Sequence, residues 1–380
     1  MTQEFEFDDE LLELRAMVRE FCREVSPESV VRATMETETG WDPALWRRLG
    51  SELGVLGLAV PEECGGDGVG LVAQAIVVEE LGAALVCGPV LGTLALAMPA
   101  LSAISDADAR RDLLPGLCSG ERTATLAAPI TTGTFDEHGI TVTAVETEAG
   151  WRLSGSIAQV PDAADADILL IVARSTAGVS LFAVDGDAPG LRTTPLTTLD
   201  LTRQQAAVDL TETPARLLAS GAEAHDIIEH TAMVAAVLLS AEQVGGSQAM
   251  LDATVAHVST RIQFGQPVGA YQAVKHRCAN MLIALEQARS AAYHGAWALQ
   301  DGIDDPRLAA GLAKGVASEA YTWISTSAIQ MHGGLGFTWE GAPQLYFKRA
   351  TTDALTLGTT TQHFDRVARY ALDDASLLPA

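Results

Sequence analysis

Apolar side chains recur every three or four positions near the start of the chain: Leu11, Leu14, Val18 and Phe21 share the face of a helix of 3.6-residue period. Further helices are predicted over residues 43–53 and 72–81, with the turn-rich stretch PEECGGDG between them. No apolar/polar alternation interrupts residues 1–120, which read as a helical domain. Beyond Thr123 the pattern changes. ITVTAVET, GWRLSGSIAQV, ADILLIVARS and VSLFAVDG are short, alternating or β-branched, and separated by Gly, Asp and Pro. That spacing predicts a compact antiparallel β domain over residues 121–220. From Ala222 apolar-rich stretches run without a proline until Pro267, so residues 221–380 read as helical again. The fold class is α+β, mainly α. No G-x-G-x-x-G follows a strand, so a Rossmann unit has no support.

Composition narrows the function. A net charge of −25 argues against nucleic acid, which needs a basic surface. Lys275, Lys314 and Lys348 are the only lysines, so arginine must supply most contacts to any anionic ligand. Cys22, Cys64, Cys87, Cys118 and Cys278 are widely spaced with no CxxC pair, which favours buried thiols over a metal site or a disulfide framework. The acidic, amphipathic N-terminus resembles neither a signal nor a transit peptide. Glu79, Glu80, Pro89 and Pro99 break up the most apolar early stretch, and no membrane span is expected. A soluble, cytoplasmic protein is the expectation.

Four segments carry candidate chemistry, each with an ordinary reading beside it. In residues 54–68, GVLGLAVPEECGGDG, Pro61 and Gly65–Gly66 serve as turn punctuation. In RIQFG, residues 261–265, a lone Arg261 after a helical run is an ordinary solvated side chain. IQMHGGLGF, residues 329–337, has glycines that turn a chain or admit a ligand to the backbone. TLGTTTQ, residues 356–362, follows a segment with Lys348 and Arg349.

In this order and spacing, GLAVPEECGGDG, VVEELG, DLTRQQAAVDL, TRIQFGQPVGAYQAVKHR and QMHGGLGFTWE resemble the acyl-CoA dehydrogenase family nearly end to end. The resemblance implies an N-terminal helical domain, a middle β domain and a C-terminal four-helix bundle, assembled as a dimer of dimers. It implies an FAD-dependent oxidoreductase that desaturates an acyl-CoA thioester and passes electrons to an electron-transferring flavoprotein. FAD would lie at a dimer interface, with Arg261 reaching its pyrophosphate across it, as a planar cationic fork suits phosphate oxygens. Phe264 and Gln272 would sit against adenosine, and Gln330 with the His332–Gly333–Gly334 turn would place backbone beside it, where a Cβ would collide. Gln263 and Thr359 complete the expected cofactor contacts.

The same resemblance exposes a loss. The family's glutamate base directly precedes a Gly-Thr pair, where this chain has Leu357 before Gly358 and Thr359, or stands ten residues ahead of a helix glycine, where it has Ala235 before Gly245. An Asp and an Arg that often flank the second position become Met233 and Ala236. The T-E-P-x-x-G-S segment reads LAAPITTGT, and the W-I-T tripeptide falls in IAQVPDA. Glu242 is seven residues past Ala235, about 10 Å along the helix axis, and reads as an ordinary polar helix position. Asp353 and Glu340 have nothing to aim them at a substrate, and His363 is a base by chemistry alone. No catalytic residue is assigned. The favoured reading is a base-lacking, FAD-clasping subunit of a heteromeric enzyme like those acting on steroid side chains in actinobacteria, with a homologous base-containing partner. The alternatives are a self-sufficient enzyme, pairing with itself and using an unrecognised base, and a non-redox scaffold.

Overall fold

The computed structural model describes residues 7–373. The first helix, Asp9–Val25, opens on Asp8, whose carboxylate accepts from the Leu11 amide and satisfies one of the free N–H groups of the first turn. Arg15 and Arg19 on this helix pair with Glu79 and Glu80 of the helix Leu71–Ala83, at 3.0 and 2.7 Å. The helix expected over 43–53 forms as Pro43–Arg47 and runs into a π-helical turn, Arg48–Glu52. Three further helical stretches were not anticipated: Glu28–Met35, the π-helical Val90–Ala97 continuing as Met98–Ala103, and Ala107–Cys118. Every residue of Val90–Ala97 is buried, so no polar face marks its period.

The strands are β1 (Ala124–Ala127), β2 (Thr143–Thr147), β3 (Gly150–Pro161), β4 (Ile168–Ser175), β5 (Gly178–Asp185), β6 (Leu191–Pro195) and β7 (Gln205–Ser220). Antiparallel pairs β2–β3, β3–β7, β7–β5 and β5–β4, with a contact of β4 back to β2, close the sheet on itself. The expected antiparallel pattern therefore dominates, with two exceptions: β1 pairs parallel with β4, and Thr143 meets Arg174 in parallel. Adjacent hairpin signals give no hint of β1–β4 pairing, because β2 and β3 intervene. Ile168, Leu170 and Val172 of β4 join the large core shared with the helices, while Leu169, Ile171 and Ala173 pack inside the sheet. A strand buried on both faces reads as a continuous apolar run, and ILLIVA does.

After β7 the 39-residue helix Ala222–Thr260 runs through the centre of the molecule. It packs with Gln272–Asp301 and Pro306–His332, and the fourth position of the bundle is filled by two helices, Pro343–Leu355 and Thr360–Asp373, broken between them at Leu357–Gly358. By length and hydropathy alone Ala222–Thr260 reaches a membrane-spanning length, contrary to the expectation that none would. However, 83% of its apolar window is buried inside the protein, so its apolarity is that of a core helix.

Candidate functional site

The break in the fourth bundle position is built from both sides. Leu357 and Gly358 take positive φ, 58° and 96°. A Cβ on Gly358 would stand 2.7 Å from backbone atoms of Thr132 and Gly133, so the turn is pressed against the LAAPITTGT segment and only glycine fits. The fully buried Lys314 holds it from the other side, donating to the Asp353 carbonyl at 2.9 Å, the Gly358 carbonyl at 3.4 Å and Ser318 Oγ at 2.7 Å. Burial pulls its ammonium down to about 8. Thr359 stays in this turn, its amide donating to Gln362 Oε1 at 2.8 Å.

His363 sits under the same turn. Arg366 can only donate, so the Arg366 Nη2 to His363 Nδ1 contact at 2.9 Å makes Nδ1 an acceptor, and Nε2–H donates to the Leu357 carbonyl at 2.8 Å. The ring is a fully buried neutral tautomer with both nitrogens committed; burial, then the Arg366 charge, push it down to about 3. It has no lone pair to offer a substrate.

Leu357 lines a cavity of about 470 Å³ with Leu91, Leu96, Ile130, Ile157, Gln159 and Gln205 among others, and among the described residues no ionisable side chain lines it. The two substituted sequence stretches, LAAPITTGT and IAQVPDA, thus converge on Leu357. The second base position does not compensate: Ala235 is fully buried in the core helix, Ala236 is buried beside it and Met233 is partly buried.

Glu242 is not the ordinary polar position expected. It is buried and accepts from Arg203 Nη2 at 2.6 Å and from Arg349 Nη1. Arg349 also donates to Asp200 Oδ2 at 2.7 Å and to the Thr202 carbonyl at 2.8 Å, and Arg203 lies 3.2 Å from Asp353. Burial opposes the Glu242 charge, but the two guanidinium groups outweigh it and hold the carboxyl below its usual range. For Asp353 burial wins and pushes the acid up to about 7. The cluster ties the loop before β7 to two bundle helices, Ala222–Thr260 and Pro343–Leu355, and both acids are sealed from solvent. Glu340 is exposed. Arg203, Arg349, Asp200 and Lys314 escaped sequence reading because their pairings span up to 149 residues; the usable signal was a lysine inside an apolar helix of a lysine-poor chain.

A second constellation forms at the far ends of Ala222–Thr260 and Pro306–His332. Arg261 caps the first helix and enters a hairpin, Ile262–Gln263 against Gln266–Pro267. Phe264 and Gly265 at its tip both take positive φ, 51° and 81°, as a two-residue hairpin of this twist requires. Phe264 is 91% exposed. No carboxylate pairs with Arg261 among the described residues. His257, one helical turn before Arg261, stacks on His332 with ring centroids 4.4 Å apart, which brings the hairpin beside the His332–Gly333–Gly334 turn. His332 Nδ1 donates to the Ala328 carbonyl at 2.7 Å. The hydroxyl of Tyr271 reaches the Gln263 carbonyl at 3.4 Å, placing the exposed Gln272 next to the hairpin. Gln330 is exposed nearby. Thr359 is the exception, belonging to the Leu357 turn. His257 was missed, although it stands four residues from Arg261. Nothing among the described residues lies within 4 Å of a Cβ built at Gly333 or Gly334, so the space beside the turn is open to a ligand. Gly333 still needs glycine, because its φ is +62°. The hairpin and turn leave a cationic group and open backbone for a phosphate-bearing ligand, which fits FAD.

The N-terminal domain model of acyl-CoA dehydrogenases matches residues 8–121 and the C-terminal domain model residues 225–372. Acyl-CoA dehydrogenase IpdE2 of Mycolicibacterium smegmatis is 35% identical over 91% of this chain and 93% of its own length. The Mycobacterium tuberculosis protein of that name is 33% identical over 90% and 92%. Among solved structures, a Tcur3481-Tcur3483 steroid ACAD superposes with a TM-score of 0.85 at 33% identity, covering 97% of this chain and 99% of that one. The ChsE4-ChsE5 complex from Mycobacterium tuberculosis gives 0.88 at 27% identity, with full coverage of both chains. The chain belongs to the acyl-CoA dehydrogenase family, FAD-dependent oxidoreductases.

Proposed function

We propose that this chain is the base-lacking subunit of a two-chain acyl-CoA dehydrogenase, clasping the FAD seated in a base-containing partner. The observation that carries the reading is the cavity at Leu357, which no ionisable side chain lines. A proton abstraction needs a base within hydrogen-bond reach, and the candidate acids Glu242 and Asp353 are sealed inside an ion-pair cluster. Two of the structural neighbours are themselves described as pairs of unlike chains, which supports a heteromeric assembly here.

When bound, FAD supplies the acceptor for the hydride that leaves the acyl chain. The work of this chain is electrostatic and positional. Arg261 neutralises pyrophosphate charge, held at the base of a hairpin that its pairing with Gln266–Pro267 keeps rigid. Phe264 offers an apolar face to the adenosine, with Gln263 and Gln272 as amide donors beside it. Gln330, His332, Gly333 and Gly334 present backbone and side-chain donors from the neighbouring helix end, and Thr359 serves from the Leu357 turn. The substrate is an acyl-CoA thioester, with a steroid side chain the favoured class, and an electron-transferring flavoprotein takes the electrons. Flavin content tests the assignment. The chain expressed alone is expected to purify nearly colourless, and coexpression with a base-containing homologue to give about one FAD per two chains. One tightly held FAD per chain in the isolated protein would contradict it.

A further inference from the structure

A second cavity, of about 300 Å³, lies on the opposite side of the π-helical segment Val90–Ala97 from the one at Leu357. Leu94 faces it, while Leu91 and Leu96 face the Leu357 cavity, so one wall of entirely buried residues divides the two. Irregular helical segments of this kind concentrate at functional sites. The floor is apolar, built by Leu56, Leu71, Met98, Val234 and Leu238 from four separate parts of the chain. Its volume falls at the lower end for small-molecule sites.

The polar groups of this cavity are few. Gln74 and Gln300 are already used in part, Gln74 Nε2 donating to the Val55 carbonyl and Gln300 Oε1 accepting from the Val72 amide, each at 3.1 Å. At the mouth stand His230 and Ser102, and neither side chain has a hydrogen-bond partner among the described residues. His230 is exposed at the mouth, and the partial burial of its ring pulls it below the ordinary histidine value. Among the described residues no Asp, Glu, Lys or Arg lines the cavity. In a chain of net charge −25, such a lining discriminates: a carboxylate, phosphate or ammonium entering it would lose its hydration and find no counter-charge.

We propose that this cavity is a ligand site separate from the cofactor and thioester positions, taking an uncharged, largely apolar molecule with a single hydrogen-bonding end placed at His230 and Ser102. The apolar body fills the floor between Leu71, Met98 and Leu238. Its carbonyl or hydroxyl meets the imidazole and the serine hydroxyl, which together offer both donor and acceptor. Occupancy bears on the Val90–Ala97 wall and hence on the packing of Leu91 and Leu96 at the Leu357 cavity.

Titration of the full chain with 2-nonanone, followed by ligand-observed NMR, tests the site, with nonanoate as the charged control. The ketone is expected to bind, and nonanoate to bind at least about tenfold more weakly. Ala103→Trp, at an exposed position of the rim, is expected to abolish ketone binding without stressing the core. His230→Phe is expected to weaken it roughly twofold to tenfold, the loss of one hydrogen bond. Absence of ketone binding, binding that survives Ala103→Trp, or nonanoate binding as tightly as the ketone would each overturn the proposal.

Discussion

Glu242→Gln separates a structural carboxylate from a catalytic one. The wild-type group is fully desolvated and answers two guanidinium groups, Arg203 at 2.6 Å and Arg349 closer still. Removing one partner of a buried pair costs about 3–5 kcal/mol, because the remaining charge stays buried without compensation. With an unfolding entropy of roughly 2.1 cal/mol/K per residue, a chain of this size loses roughly 4–6 °C of Tm. Asp353 makes the loss depend on pH. In the wild type, burial and the Glu242 charge push Asp353 up to about 7, so at pH 6 the cluster carries the Glu242 carboxylate and a neutral Asp353. Without Glu242 the Asp353 acid, 3.2 Å from Arg203, ionises at lower pH and takes its place. At pH 8 both acids are ionised in the wild type and one in the variant. Folded wild type keeps a proton on Asp353 up to about pH 7 that the unfolded chain has already shed, so the wild type loses stability between pH 6 and pH 8 while the variant loses less. The Tm drop is therefore expected to be smaller at pH 8 than at pH 6, measured by thermal scans of the two proteins in matched buffers. Turnover of a reconstituted complex is expected to stay within a few-fold of wild type. An unchanged Tm together with a loss of turnover of about 10²-fold or more, the scale of a general base, would refute this reasoning and make Glu242 the base.

Arg261→Ala removes a charge-assisted contact worth about 1.5–3 kcal/mol, so FAD affinity of the assembled complex should fall roughly tenfold to a hundredfold by equilibrium titration. His363 has its folded pKa depressed from 6.5 to about 3, so the stability tied to the neutral ring is full above pH 6.5 and lost as pH falls toward 3. His363→Gln should flatten that acid limb in denaturation curves taken across the window. Leu357→Glu places a carboxylate where no cation lines the cavity, and with Met233 and Ala236 at the flanking positions it should yield no acyl-CoA oxidation by the chain alone in a dye-coupled assay.

The sequence announced elements whose two faces differ. Asp9–Val25 has a wet face and a dry one, and its period was visible. The Val90–Ala97 stretch is dry all round and its helix was not. Turn residues bounded β2 to β5 correctly, because Gly and Asp mark chain reversal locally, whereas the β1–β4 pairing depends on how two intervening strands fold back. The hairpin and glycine turn were legible for a different reason: Arg261, Phe264 and the His332–Gly333–Gly334 turn lie in short motifs whose conformational needs are written into adjacent residues. The buried cluster around Glu242 was not, since Asp200, Arg203, Arg349 and Asp353 come together only through tertiary packing and look like ordinary surface charges in sequence.

The central claim is that the cavity at Leu357 cannot take a proton from a substrate. The most direct test mixes the chain, purified alone and reconstituted with FAD, anaerobically with acyl-CoA thioesters ranging from short chains to bulky ring-bearing ones, and follows flavin absorbance. The account predicts no bleaching with any of them, and bleaching once a base-containing homologue is coexpressed. Bleaching by the chain alone would place a working base within this subunit and contradict the account.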